Sequence, residues 1–460
     1  MRLAIRGSGV LRCAAALLAL GAQPARAQAT SASVYPIDLP TALRLADAQN
    51  LDVQIARQRV REAQANRTSV FEQFFPWLAP GVAYHRRDGV AQASPSGIIG
   101  NADYQSYSPG VALTAQVVLG DAIYNSLAAR QLVRASDDGL ETQRQGAALK
   151  AAEGYFDLAK AKALVEVLRD ALSTSQDYQR QLHDAVAIGI AFRGDELRVQ
   201  SQTEHYQIVL RQALAQQRVA AVELAKVLHL DAGVELVPRE AELVPLALFD
   251  TGSSMEALVE RARRTRPELR QTEALLVASA ASRNAVVYGP LIPSIGAQAF
   301  VGKLGGGPDS GRGRVGPVGD YTVGVTWRIG PGGLFDFGRI NANDAQLATV
   351  RLNDAKLKDA ITAEVVASLT RVRALSDEIA LAATNLGTAN ETLRLTRARK
   401  QFGVGIVLED IQAQQAVTQA RSDYFTAIAE FDKAQYGLSR AVGGASERPV
   451  TLRPPATVKP

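Results

Sequence analysis

The chain carries the same pattern twice, 214 residues apart, and a duplication of that size constrains the architecture before any chemistry is considered. Leu158, Val165 and Leu172 form a seven-residue apolar repeat in an otherwise polar stretch. The same offset leads to Val372, Ile379 and Leu386, inside a second run that extends from Val365 to Leu393. The turns that follow also correspond. Ile188 and Gly189 match Phe402 and Gly403, Glu196 and Leu197 match Asp410 and Ile411, and Gln200 matches Gln414.

Proline divides the chain. None of the 19 prolines falls between Pro109 and Pro238 or between Pro331 and Pro449, so both stretches can be uninterrupted helix pairs. Helices are predicted over about 121–188 and 195–229, and again over about 336–402 and 409–442. Leu158, Ala161, Val165, Leu168 and Leu172 alternate three and four apart, the spacing of coiled coils packed laterally against several neighbours. An ordinary helical-bundle core would use the same stripe. Another helix precedes each pair, over about 39–74 and 255–287.

A different texture lies just ahead of each long helix. Tyr107, Pro109, Val111, Leu113, Ala115 and Val117 alternate with small or polar residues, as do Tyr321, Val323, Val325, Trp327 and Ile329. Period-two alternation with aromatics at the ends is the pattern of outer-membrane strands, apolar side outward. Weaker partners at 78–84 and 295–301 complete two hairpins, with polar, Gly-rich loops expected over 86–103 and 302–320. Four strands cannot close a barrel, and open edges in lipid cost several kcal/mol per unpaired backbone group. Strands that cross a membrane here must therefore be pooled from several copies, since common closed barrels need about eight or more.

The N-terminus reads as an export signal over 1–27: Arg2 and Arg6, an apolar run from Val10 to Leu20, then Ala25, Arg26 and Ala27 in a small-x-small cleavage pattern. Cys13, the only cysteine, lies within it, so the exported chain needs no disulfide framework. The signal holds four arginines and no acid, so the net charge of +5 falls to +1 on its removal. The high pI is thus no argument for nucleic acid. No later stretch approaches the apolar length of a membrane helix. The expected domains are a first repeat over 28–230, a linker over 231–253, a second repeat over 254–442, and a tail over 443–460 without regular structure.

No residue constellation supports catalysis, a metal or a cofactor. His85, His183, His205 and His229 are isolated and read as surface or loop residues. Met255 is the only methionine outside the signal, so no methionine cluster offers a copper relay.

Taken in order, these elements resemble the TolC family of outer-membrane efflux proteins. Residues Ile37 to Leu43 with Asn50, Leu51 and Asp52 resemble the family's opening, and Met255 to Leu269 resembles its second copy. Leu334, Phe335, Asp336, Phe337, Gly338 and Arg339 resemble its strand-to-helix junction; Phe402 to Gly405 with Leu408 to Gln414 resembles its helix-turn-helix tip. The resemblance implies a mainly α fold with two internal repeats. Three chains would pool four strands each into a twelve-stranded outer-membrane barrel, continued by a coiled-coil helical cylinder through the periplasm of a Gram-negative cell. It implies a passive exit duct, not an enzyme, contacting outer-membrane lipid, a periplasmic adaptor and an inner-membrane pump. Gly189, Gly194, Gly403, Gly405 and Asp410 would then mark the adaptor-contact tips.

The family often rings the narrow mouth with two acids three residues apart. Here Glu409 stands at the first position and Gln412 at the second, with Asp195 and Glu196 nearby in the first repeat. Asp195 and Asp410 equally suit the starts of helices, where acids are favoured. The alternative class is a periplasmic adaptor, although one would show a single helical hairpin.

Overall fold

The computed structural model describes residues 34–92, 97, 99–101, 103–231, 233–240, 242–308, 313–401, 406–444 and 450–451. In chain order, β1 (Val34–Ile37) leads into α1 (Leu39–Gln49) and α2 (Leu51–Glu72). Then come β2 (Trp77–Arg87), the short β3 (Val90–Gln92) and β4 (Ile99–Asn101), and β5 (Tyr104–Val118). α3 (Leu119–Ala187) and α4 (Arg193–Val227) complete the first repeat. The connection holds β6 (Glu235–Pro238) and β7 (Leu246–Ala247). α5 (Met255–Thr265), α6 (Pro267–Tyr288), β8 (Ser294–Pro308), β9 (Val315–Thr326), α7 (Phe337–Gln401) and α8 (Val407–Ala441) repeat the order, and β10 (Val450–Thr451) ends it.

The long helices fall within two residues of the expected starts, because alternating three-and-four apolar spacing and the lack of proline leave no competing structure. α3 has 69 residues, on the order of 100 Å at the helical rise. Its stripe is buried as the spacing requires: Leu158 packs with α4 and α1, Val165 is buried further along, and Val365, Leu369 and Val372 form the matching core of the second half.

The helices expected over 39–74 and 255–287 are each two helices. At Asn50 the backbone turns to ψ 130°; its side-chain oxygen accepts from the N–H groups of Asp52 and Val53, and its amide donates to the Val227 carbonyl. In the second repeat Pro267 bars helical geometry at the residue before it, and Arg266 turns to ψ 122°. Arg266 is buried and donates to the Arg440 and Ala441 carbonyls while pairing with Glu268 and Glu364. Each kink thereby satisfies the carbonyls at the end of the last helix of its own repeat.

β2, β5, β8 and β9 form one antiparallel sheet in that order. Paired residues share a face. Leu78, Val82, Tyr84, Val111, Leu113, Tyr321, Val323 and Val325 lie on one side, all exposed. Ala79, Gly81, Ser108, Thr114, Gln298, Asp320 and Thr322 lie on the other. The stretch 302–320, expected as a loop, is largely strand, since β8 runs to Pro308 and β9 begins at Val315. Its glycines suit close backbone pairing as well as turns. Strand also ends sooner than expected, at Thr326, where the chain prepares for α7.

β5 passes into α3 without a connecting loop, Val118 and Leu119 being consecutive. There Gly120 rests against the backbone of Gly289, and a Cβ on it would overlap that backbone. The linker is not bare chain: β6 pairs in parallel with β1. Of the tail expected to lack regular structure, Val450–Thr451 pairs with β7.

Two polar side chains of α8 hold the linker in place. Gln435, fully buried, accepts from the Leu248 and Phe249 N–H groups and donates to the Phe249 carbonyl. Asp432, also fully buried, accepts from the Leu246 N–H through one oxygen; among the described residues its other oxygen has no partner. Burial pushes its carboxyl up from 3.8 to about 8. The folded chain thus keeps a proton there that the unfolded chain releases above about pH 4. Stability falls as pH rises through that window, by about 1.4 kcal/mol per unit. Asp432→Asn should raise the thermal midpoint by a margin that grows between about pH 4 and 8 and levels off above it, measured by circular dichroism. A margin independent of pH would contradict the assignment.

Candidate functional site: the helical tip

The end remote from the sheet is where α3 and α7 reverse into α4 and α8. At the first reversal the Gly189 N–H donates to the Val186 carbonyl and the Ile190 N–H to the Ala185 carbonyl, the paired bonds of a Schellman end. That motif needs a left-handed residue, and Gly189 has φ +78°. Gly194 lies in the first turn of α4 under the Phe192 ring. The tip presents Ile188, Ile190 and Phe192, each more than 70% exposed. The sequence places Phe402, Val404 and Ile406 at the corresponding positions, of which Ile406 is described and exposed. Gly403 and Gly405 lie outside the described residues.

The acids near the tips are engaged within the chain. Glu196 is buried and accepts from His183 Nδ1 at 2.8 Å and from Arg193 at 2.6 Å. These two donors, His183 first, hold its carboxyl below the usual range. Asp195 pairs with Arg198 at 2.8 Å. In the second repeat Asp410 is buried, with Arg397 Nε 4.0 Å away, and Glu409 pairs with Arg399 at 3.3 Å. The N-cap positions are Phe192 and Ile406, so Asp195 and Asp410 sit inside the first turns and do not cap. Both acids converge on Tyr178 of α3. Its phenol is pushed well up by burial, then by Asp410 and Asp195.

Gln412 is exposed, one turn beyond Glu409 on α8. It lines an open groove of about 900 Å³ between α4 and α8, floored by Leu164 and Leu168 of α3. Gln415 donates to Gln202 across the same groove. His183 is at the surface, as expected, but not isolated: it is one half of a latch with Glu196, and the 214-residue offset could have revealed it. His183 corresponds to Arg397 as Glu196 does to Asp410, so each repeat ties a basic residue of its long helix to a buried acid of its short one.

A sheet with one apolar face and, among the described residues, two unpaired edges, whose β5 runs unbroken into a helix of some 100 Å that reverses at an apolar tip, defines a membrane-anchored helical conduit. The sequence matches the family described as outer membrane efflux protein twice, over residues 42–228 and 258–444, and the chain belongs to that family. Its place is the cell outer membrane, with the helices extending into the periplasm. Compared with curated proteins, the sequence matches none. Among solved structures it is similar to a membrane protein from Pseudomonas aeruginosa (TM-score 0.74, 20% identity, 90% of this chain and 95% of that one). It is also similar to the CmeC outer membrane channel of Campylobacter jejuni (0.72, 16%, 88% and 85%). The outer membrane protein VceC of Vibrio cholerae is a third (0.72, 16%, 88% and 96%). At these identities the likeness concerns the fold.

Gly189→Ala should weaken the first reversal by about 1–2 kcal/mol, because a Cβ disfavours its left-handed backbone. Gly146→Ala, within α3 where a Cβ meets nothing within 4 Å, should stabilise by about 0.5–1 kcal/mol. Hydrogen exchange at the amides of Ile188 to Ile190 would distinguish the two. Equal protection loss in both variants would refute the turn assignment.

Proposed function

We propose that the protein is the exit duct of a multi-component efflux or secretion system, passive itself and assembled as a homotrimer. Three sheets of four strands make a twelve-stranded barrel in lipid, and the helices continue it as a hollow cylinder. The observation that carries this reading is that, among the described residues, the outer edges of β2 and β9 pair with no further strand, in a sheet with one apolar face. An inner-membrane pump would deliver substrate through a periplasmic adaptor seated on the tips, where Ile188, Ile190, Phe192 and Ile406 offer apolar contact beside Gly189, Gly194, Gly403 and Gly405. The purified protein should behave in detergent as a trimer that runs larger in unheated gels. A monomer that stays soluble without detergent would overturn the reading.

Glu409 is our proposed acid of the narrow mouth, one from each protomer, and Arg399 beside it offsets much of its charge. Cation preference in planar bilayers should therefore be mild. Arg399→Gln should strengthen it and Glu409→Gln should abolish it, with both effects shrinking at high salt. Gln412→Asp should add to it by placing a carboxylate one turn further on the same face of α8. Unchanged selectivity in all three variants would place the ring elsewhere.

A further inference from the structure

We propose that the inner wall of the duct carries a binding recess for lipophilic organic cations, built by Phe300 of β8 and Asp320 of β9. This site presupposes the duct reading and adds a substrate class to it. Residues paired across the sheet share a face, and one row runs Ala79, Ala112, Phe300, Asp320. The row lies on the side opposite the apolar one, with Gln298 and Thr322 in the row beside it. A phenylalanine there breaks the alternation that turns apolar side chains toward lipid. Its ring lies along the wall. The tip of the ring fills the space that a Cβ on Gly110 would take, and a Cβ on Gly302 would stand 3.0 Å from it.

The ring, the Asp320 carboxylate and Gln298 border an open recess of about 450 Å³, backed by the small residues Ala79, Ser108 and Gly110. That size falls within the range of small-molecule sites, roughly 300–1,000 Å³. Phe300 and Asp320 are direct cross-strand partners, which sets their Cβ atoms about 4.5–5.5 Å apart. Asp320 is exposed and forms no hydrogen bond or ion pair among the described residues. It is also the sole acid on that face of β2, β5, β8 and β9. The basic residues of the face, His85 and Arg87, stand nearer the far end of β2. They lie roughly 20 Å or more along the strand from the row of Ala79, beyond the ~8 Å over which charge is felt at physiological salt.

The chemistry selects the ligand. A carboxylate repels anions, and a neutral apolar molecule gains nothing from it. Hard divalent cations want six or more oxygen ligands, whereas a single carboxylate stands here; among the described residues no cluster of acids, histidines or cysteines could hold a metal. A cation with an apolar body uses both groups, its charge meeting the carboxylate and the aromatic ring while its body covers the small residues. Such a contact is open to water and therefore weak, as a conduit requires of any site that must also release its passenger.

The test is block of ion current through the purified protein in planar bilayers. Tetraphenylphosphonium should halve the current at a concentration at least about tenfold below that needed of tetramethylammonium, which lacks the apolar body. Asp320→Asn and Phe300→Leu should each raise the tetraphenylphosphonium value about fivefold, the scale of one exposed ion pair or cation–aromatic contact. Equal values in the parent and both variants would overturn the recess while sparing the duct. A change in Asp320→Asn alone would reduce the site to a bare charge and overturn the lipophilic assignment. An unsubstituted protein that conducts no ions would overturn the duct reading and the recess together. Should Phe300→Leu fail to assemble, Asp320→Glu decides the matter. The site requires it to keep the parent's value while Asp320→Asn loses it, and one value for both variants refutes the site.

Discussion

The outer edges of β2 and β9 carry backbone donors and acceptors that pair with no further strand of the same chain among the described residues. In water such an edge is a modest liability; in hydrocarbon each unpaired group costs several kcal/mol. Much of the architecture answers to this constraint. It makes the sheet incomplete in one chain and turns its apolar side outward. The long helices inherit that arrangement, because β5 enters α3 with no intervening residue and so fixes where the helix starts around the ring.

The two repeats meet one structural need with different chemistry. The last helix of each half leaves carbonyls to satisfy, and a kinked residue in the preceding pair supplies the donor. Asn50 does so with a neutral amide, whereas Arg266 brings a buried charge that then requires Glu268 and Glu364 beside it. The tips show the same divergence, with His183 and Glu196 in one repeat and Arg397 and Asp410 in the other. Duplication preserved the geometry of each contact and left its charge free to change.

Periodicity made most of the fold legible in advance. Long runs of three-and-four spacing and strict alternation of apolar with small residues each admit one secondary structure, and the helices and strands appear where those runs lie. The kinks were hidden because Asn50 is an unremarkable residue in a helical pattern until the Val227 carbonyl approaches it. Pro267 did announce the second kink. Glycine misled over residues 302–320, where it serves strand pairing. At the tips the acids were visible but their partners were not. Arg399 and Arg397 lie ten and thirteen residues before Glu409 and Asp410, across a reversal whose geometry no local spacing encodes.

The loop-free joint between β5 and α3 has a mechanical consequence. Gly120 pressed on Gly289 leaves no side chain to yield and no slack segment to absorb rotation. The strand and helix therefore act as one rigid lever. Over a length on the order of 100 Å, a tilt of about one degree at the joint sweeps the far end through roughly 2 Å. Small deformations of the membrane-embedded wall are thereby magnified at the distant end, and a load applied there returns to the wall as torque.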